Sequence, residues 1–294
     1  MDVESSTTRH FPVMLQESLE YLAIRPDGIY VDVSAGLGGH TGAIAKQLET
    51  GFVIACDRDR DSLELARANT AQWNSRIRFF HGAFSEMPEA LAQNGLEQVD
   101  GVLADLGVSR YQLSAAERGF SIMQDGPLDM RMDRSQELTA ADLVNGLPEK
   151  ALADLIYQMG EERRSRRISR AIVRARPILT TGRLAQVVEE AVPRTGRIHP
   201  ATRTFMALRL KVNSEPEQLD ELLRITPGKL RPGGRFVVLT FMSAEDRQVK
   251  QAFQLLAREG RVRILTKHVV KPAEKEVSEN AASRSAKLRA VERT

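Results

Sequence analysis

Short runs of apolar residues rich in β-formers punctuate the first third of the chain, at Ile29 to Val33, Phe52 to Cys56, Ile77 to Phe80 and Val99 to Ala104. Segments with helical spacing separate them, as at Leu63, Ala66, Arg67 and Thr70. Strands alternating with helices predict a parallel α/β sheet. A fifth run, Arg235 to Thr240, follows the turn signal Pro232-Gly233-Gly234, and a further candidate strand, Val262 to Leu265, lies near the end. Both are read as late strands of the same sheet.

Roughly 130 residues separate the fourth run from the fifth, where a βαβ crossover needs only about a dozen. Their pattern from Ala140 to Val212 is mostly helical, with Leu152, Leu155 and Ile156 on one face, Ile168, Ala171, Ile172 and Ala175 on another, and Phe205, Leu208 and Val212 on a third. The pattern predicts a helical domain at residues 113–212, inserted into a core domain of residues 1–112 and 213–294. The length of 294 residues leaves room for both.

With 42% hydrophobic and 28% charged residues the chain can build an ordinary apolar core. A single cysteine, Cys56, excludes an intrachain disulfide, and no Cys or His cluster has metal-ligand spacing, so no metal is expected. Met1 to Arg9 is polar, and no apolar run reaches the roughly 18 residues of a bilayer span. A cytoplasmic protein without a membrane partner is expected. The net charge of only +3 permits a nucleic-acid partner without requiring one.

Candidate chemistry sits at the strand ends. The first strand runs from Asp32 into Ser34-Ala35-Gly36-Leu37-Gly38-Gly39-His40-Thr41, a turn whose glycines let backbone approach a ligand closely. A dinucleotide fingerprint counted from Gly36 would place its third glycine where Thr41 stands, which disfavours NAD. The second strand ends at Asp57, about twenty residues on, where an acid can accept from both hydroxyls of a ribose. Either NAD or S-adenosyl-L-methionine would use it. The fourth strand ends in Asp105-Leu106-Gly107-Val108, with Gln112 nearby. A plain cap for the following loop is the alternative role for Asp105.

Longer motifs carry a specific resemblance: His10-Phe11-Pro12-Val13, Gly38-Gly39-His40, Asp105 to Ser109, Glu117-Arg118-Gly119-Phe120-Ser121, and Asp125-Gly126-Pro127-Leu128-Asp129-Met130-Arg131-Met132-Asp133. His199 to Phe205, Glu245-Asp246-Arg247 and Arg284 to Arg289 follow in order. The chain resembles the ribosomal RNA small subunit methyltransferase H family, formerly MraW, over nearly its whole length. The resemblance implies a Rossmann-like S-adenosylmethionine-dependent methyltransferase whose inserted helical domain recognises substrate. It implies methylation of N4 of a decoding-centre cytidine in 16S rRNA of the 30S subunit, and leaves room for a homodimer. Carried over residue by residue, cofactor contacts fall on Gly38, Gly39, His40, Asp57, Phe84, Asp105 and Gln112. Phe84 would lay its ring against adenine.

The chain departs from the family pattern at three places. Met242 stands where a histidine is usual, Asn280-Ala281-Ala282-Ser283 lacks the customary proline and arginine, and Arg110-Tyr111 replaces Ser-Pro. A catalytic role is expected of Asp105, as holder of the cofactor and, directly or through water, acceptor for the cytosine amine; a purely cofactor-holding Asp105 is the alternative. His199, before Pro200, is read as a helix-start residue with a local hydrogen bond. Arg163, Arg167, Arg170 and Arg174 share one helix face suited to tracking phosphates or to simple solvation, and Arg284, Lys287, Arg289 and Arg293 form a second basic candidate. The competing readings are a methyltransferase acting on DNA, protein or a small molecule, a Rossmann oxidoreductase, and a non-catalytic RNA-binding assembly factor.

Overall fold

The computed structural model describes residues 12–194, 196 and 198–294, so His10 and Phe11 of the first motif lie outside the described residues. From the amino-terminal side, α1 (Leu15–Leu22), β1 (Ile29–Asp32), α2 (Gly39–Gln47), β2 (Phe52–Asp57), α3 (Arg60–Asn69), β3 (Ile77–His81), α4 (Met87–Gln93) and β4 (Val99–Asp105) alternate. Six helices follow: α5 (Arg110–Ser114), α6 (Ala140–Gly146), α7 (Glu149–Gly160), α8 (Ser165–Ala175), α9 (Thr181–Ala191) and α10 (Thr202–Val212). Then come α11 (Glu215–Lys229), β5 (Leu230–Thr240), α12 (Ser243–Arg258), β6 (Val262–Ile264), α13 (Glu274–Glu279) and β7 (Lys287–Arg293). Two compact units result, Met1–Gly107 with Gln218–Thr294 and Val108–Glu217, whereas the sequence pattern puts the divisions at 112/113 and 212/213.

The first unit holds a seven-stranded sheet of order β3-β2-β1-β4-β5-β7-β6. The strands from β3 to β5 are parallel, and β7 runs antiparallel to both β5 and β6. The fold is α/β and Rossmann-like. Its strand order turns back at the β1/β4 pair, and the carboxyl ends there form the crevice where open α/β sheets collect ligands. Alternate residues serve opposite faces: Val31, Ile54, Val102 and Val238 join one apolar core, while Tyr30, Val53, Leu103 and Val237 join the other. Covering both faces explains the continuous apolar runs.

Two features differ from the sequence reading. Pro232-Gly233-Gly234 does not precede β5 but bulges out within it, since the register steps from Val99 opposite Leu230 to Gly101 opposite Arg235. The sequence pattern does not mark β7 as a strand, because Lys287, Arg289, Glu292 and Arg293 look like solvated surface. In the fold Leu288, Ala290 and Val291 are buried while Arg289 and Glu292 pair with charges on neighbouring elements.

The second unit has its own core, in which Leu152 and Ile156 of α7, Ile168 and Ile172 of α8, and Phe205, Leu208 and Val212 of α10 come together. The three apolar faces expected of the insertion thus meet each other. Among the described residues no helix is long and apolar enough to cross a membrane.

Candidate functional site

The carboxyl ends of β1, β2 and β4 bring three acids to one edge of the sheet. Asp32, ending β1, is wholly buried; Thr41 Oγ1 donates to its Oδ2 at 2.6 Å, and the Ser34 amide and hydroxyl donate to its Oδ1 at 3.1 and 3.3 Å. Burial raises its carboxyl above the ordinary range, against the pull of His40 and of these donors. The chain then turns through Gly36 and Gly38, both with positive φ (51° and 86°), into α2.

The two glycines do different work. A side chain on Gly38 would stand 2.9 Å from Thr70 Cγ2 and 3.2 Å from the α3 backbone at Ala66, so this glycine serves the close approach of the turn to α3. A Cβ on Gly36 would meet only its own loop, at 3.8 Å, leaving space beside it. Gly39 lies against the Pro12 ring.

Asp57, ending β2, receives the Gly36 amide on Oδ2 at 2.7 Å and the Asp59 amide on Oδ1 at 2.8 Å. Burial pushes its carboxyl up to about 6, against those two amide bonds. Phe84 follows β3 in a single 3-10 turn (Phe84–Glu86), its ring partly buried against the core, and the neighbouring Gly82 amide donates to the Asp57 carbonyl at 3.0 Å. The predicted Asp57 and Phe84 are therefore brought to adjacent strand ends.

Asp105, ending β4, has Oδ2 at 3.7 Å from His40 Nδ1, while His40 Nε2 lies 3.1 Å from the Val13 carbonyl oxygen. The other oxygen, Oδ1, is buried and has no hydrogen-bond partner among the described residues. Burial pushes the carboxyl up to about 6, against the pull of His40 and with a further push from Asp32. An unpartnered buried acceptor is costly. The Asp105 side chain as a whole is about a quarter exposed at this sheet edge.

Gln112 belongs to the second unit, where its Oε1 accepts from the Ser109 amide at 2.9 Å and closes a capping box on α5. His199 Nδ1 accepts from the Ala201 amide at 3.1 Å, a local bond at a helix start. The longest motif is architectural: Asp129 grips Arg131 through two bonds of 2.7 and 2.8 Å, and the buried Arg118 donates to the carbonyls of Arg131 and Met132. In Glu245-Asp246-Arg247, Glu245 accepts from the amides of Phe241 and Met242, and Asp246 holds Arg289 at 2.7 Å. Lys287 lies 3.7 Å from Asp246 and Arg293 donates to the Leu230 carbonyl, so most of the C-terminal basic candidate is committed to the fold. Among the described residues no group of three or more His, Cys, Asp or Glu could hold a metal.

What the sequence reading missed is the Asp32, Ser34 and Thr41 network that ties the turn to β4. A hydroxyl two residues beyond a strand-end acid was the available signal.

Residues 7–294 match the sequence model of the MraW methylase family. A protein of Solibacter usitatus named ribosomal RNA small subunit methyltransferase H is 64% identical over 283 residues, covering 96% of this chain and 99% of its own. Proteins of the same name from Acidobacterium capsulatum and Nostoc punctiforme are 48% and 45% identical, covering 97% and 100% of this chain and 98% and 97% of their own. A family match over residues 7–294 and relatives up to 64% identical over nearly the whole chain lead to one conclusion: the chain belongs to the MraW methylase family.

Proposed function

We propose that the protein is an S-adenosylmethionine-dependent methyltransferase acting on the small-subunit ribosomal RNA, at N4 of a decoding-centre cytidine in 16S rRNA within the 30S particle, in the cytoplasm. The observation that carries it is the gathering of Asp32, Asp57 and Asp105 at the strand ends of a Rossmann-like sheet in a chain of the MraW methylase family. When bound, S-adenosylmethionine supplies the electrophilic methyl group. Its ribose hydroxyls, adenine amine and ammonium group are donors that complement a site built of acceptors. In this reading Asp57 holds the ribose, Phe84 lies against adenine, Gly38, Gly39 and His40 shape the turn, and the resemblance adds Gln112.

The cytosine N4 lone pair is delocalised into the ring, so the amine must be held in line and its proton accepted. Asp105 is the acceptor. The competing substrates predict different products, and transfer of labelled methyl to 30S particles followed by nucleoside analysis separates them. Label in N4-methylcytidine is expected. Label in protein, or none in RNA, overturns the assignment.

The inserted unit is assigned to substrate binding. Arg163, ahead of α8, and Arg166, Arg167 and Arg174 on it are exposed, while Arg170 lies 3.4 Å from Glu149 and Arg164, the residue before α8, is held by Glu162. The available cations therefore differ by one on each side from the stripe read in the sequence, losing Arg170 and gaining Arg166. Charge reversal of Arg163 and Arg167 to Glu should weaken binding to 30S particles roughly tenfold or more and flatten its salt dependence, with cofactor affinity unchanged. Normal methylation by the double variant across a salt series would make α8 a merely solvated face.

Met242 occupies the place of the family's histidine, and its amide is fixed by Glu245 Oε2 at 3.2 Å regardless of side chain. With Asp105 as acceptor, no imidazole is needed there. Met242→His should change the single-turnover rate by less than about tenfold, or about 1.4 kcal/mol of barrier. A wild type nearly inactive on 30S particles, with activity restored in this variant by orders of magnitude, would instead make the missing imidazole the general base.

A further inference from the structure

We propose that Ser34 is a positioning residue of this site, fixing the end of β4, and with it Asp105, to the glycine turn. The proposal rests on the cofactor assignment above and deepens it.

The β1 and β4 ladder pairs Asp32 with Leu103, and the Val33 amide donates to the Leu103 carbonyl at 3.0 Å. Beyond that point β1 curls away into the turn, whereas β4 continues to Asp105 and stays paired with β5 at Leu239. The Asp105 amide is left facing a strand that has ended. Ser34 Oγ takes its place as acceptor, at 2.6 Å. With one lone pair so engaged, the Ser34 hydroxyl proton turns to Asp32 Oδ1 at 3.3 Å.

Asp32 is itself fixed, because it is fully buried and also holds Thr41 Oγ1, on the first turn of α2. The Ser34 hydroxyl thus joins the root of the turn to the last residue of β4, and Asp32 extends that frame to the first turn of α2. His40, next to Thr41, faces Asp105 Oδ2 on the same frame. Side-chain precision at a site depends on such supporting bonds. Without the hydroxyl, the Asp105 main chain would be held on its β5 side alone, and Oδ1 would lose its defined place.

Calorimetry with S-adenosylhomocysteine on the full chain tests this without requiring catalysis. Ser34→Ala should weaken binding about tenfold, the loss of one well-made hydrogen bond, while Ser34→Thr, which keeps the hydroxyl, should stay within about threefold of wild type. In an Asp105→Ala background the same Ser34→Ala change should alter affinity by less than about twofold, because the residue it positions is gone. Effects that multiply independently, or a Ser34→Ala protein that binds like wild type, overturn the proposal. If Ser34→Ala does not fold, Ser34→Cys keeps the volume with a weaker acceptor and carries the same comparison.

A ligand-free measurement separates this from failure of the cofactor reading. Exchange of the Asp105 amide hydrogen should speed about tenfold in Ser34→Ala and not in Ser34→Thr. Unchanged exchange sinks the role of Ser34. Faster exchange in a wild-type background that never binds S-adenosylhomocysteine keeps the bond but overturns the cofactor assignment, and the positioning role with it.

Discussion

Asp105→Asn is expected to lower the single-turnover rate of methyl transfer, at saturating cofactor, by about a hundredfold or more. Asparagine matches aspartate in size, and the amide bond to Ser34 Oγ belongs to the main chain, so the fold of the edge should survive. What changes is the acceptor: an amide oxygen can receive a hydrogen bond from the cytosine amine but cannot take its proton. The pH dependence gives an independent reading. Burial holds the Asp105 carboxyl up to about 6, so the ionised, accepting form dominates above that pH and is lost below it. A bound sulfonium pulls the carboxyl down, so the wild-type single-turnover rate at saturating cofactor should fall through an acid limb at or below about pH 6, and the asparagine variant should lack that limb. Saturating cofactor matters, because Asp57 is also pushed up to about 6 and would otherwise add its own limb through binding. A variant within threefold of wild type, keeping the limb, would leave water as the proton acceptor and Asp105 as a cofactor contact only.

How much of this was legible in the sequence depends on whether a residue's role is local. The strands from β1 to β5 were readable because burial on both faces leaves continuous apolar runs such as Val31, Ile54 and Val102. Asp57 and Asp105 were readable because a strand end fixes where an acid must go in a parallel sheet. Strand β7 was not, because Arg289 and Glu292 look solvated until Asp246, Arg235 and Arg263 are seen beside them. The same blindness affected the basic stripes. Whether Arg170 is available depends on Glu149 from another helix, and Lys287 and Arg289 turn out to face Asp246. Ser34 was passed over because its bond to the Asp105 amide exists only where β1 curls away before β4 ends. The residues that best carried the family resemblance, Arg118 and Asp129 to Met132, prove to be ties within the second unit.

Asp57→Ala is expected to weaken binding of S-adenosylhomocysteine by about 1 to 3 kcal/mol, roughly fivefold to 150-fold. An ionised carboxylate offers about four acceptor positions. Two are occupied, by the Gly36 amide on Oδ2 and the Asp59 amide on Oδ1, which orients the group and leaves each oxygen one position for a ribose hydroxyl. Alanine removes the ribose acceptors and also frees the Gly36 amide, so part of the loss would come from a loosened turn. Asp57→Asn separates the two contributions poorly, since its NH2 would oppose one of the two amides. The pH dependence of wild-type binding separates them better. Protonation of a carboxyl held up to about 6 removes acceptor capacity without removing the side chain, so affinity should fall as pH drops through that value and hold steady above it. In Asp57→Ala that pH dependence should be absent. Calorimetry showing unchanged affinity in the variant, with the wild-type acid limb intact, would place the ribose acceptor elsewhere on the edge.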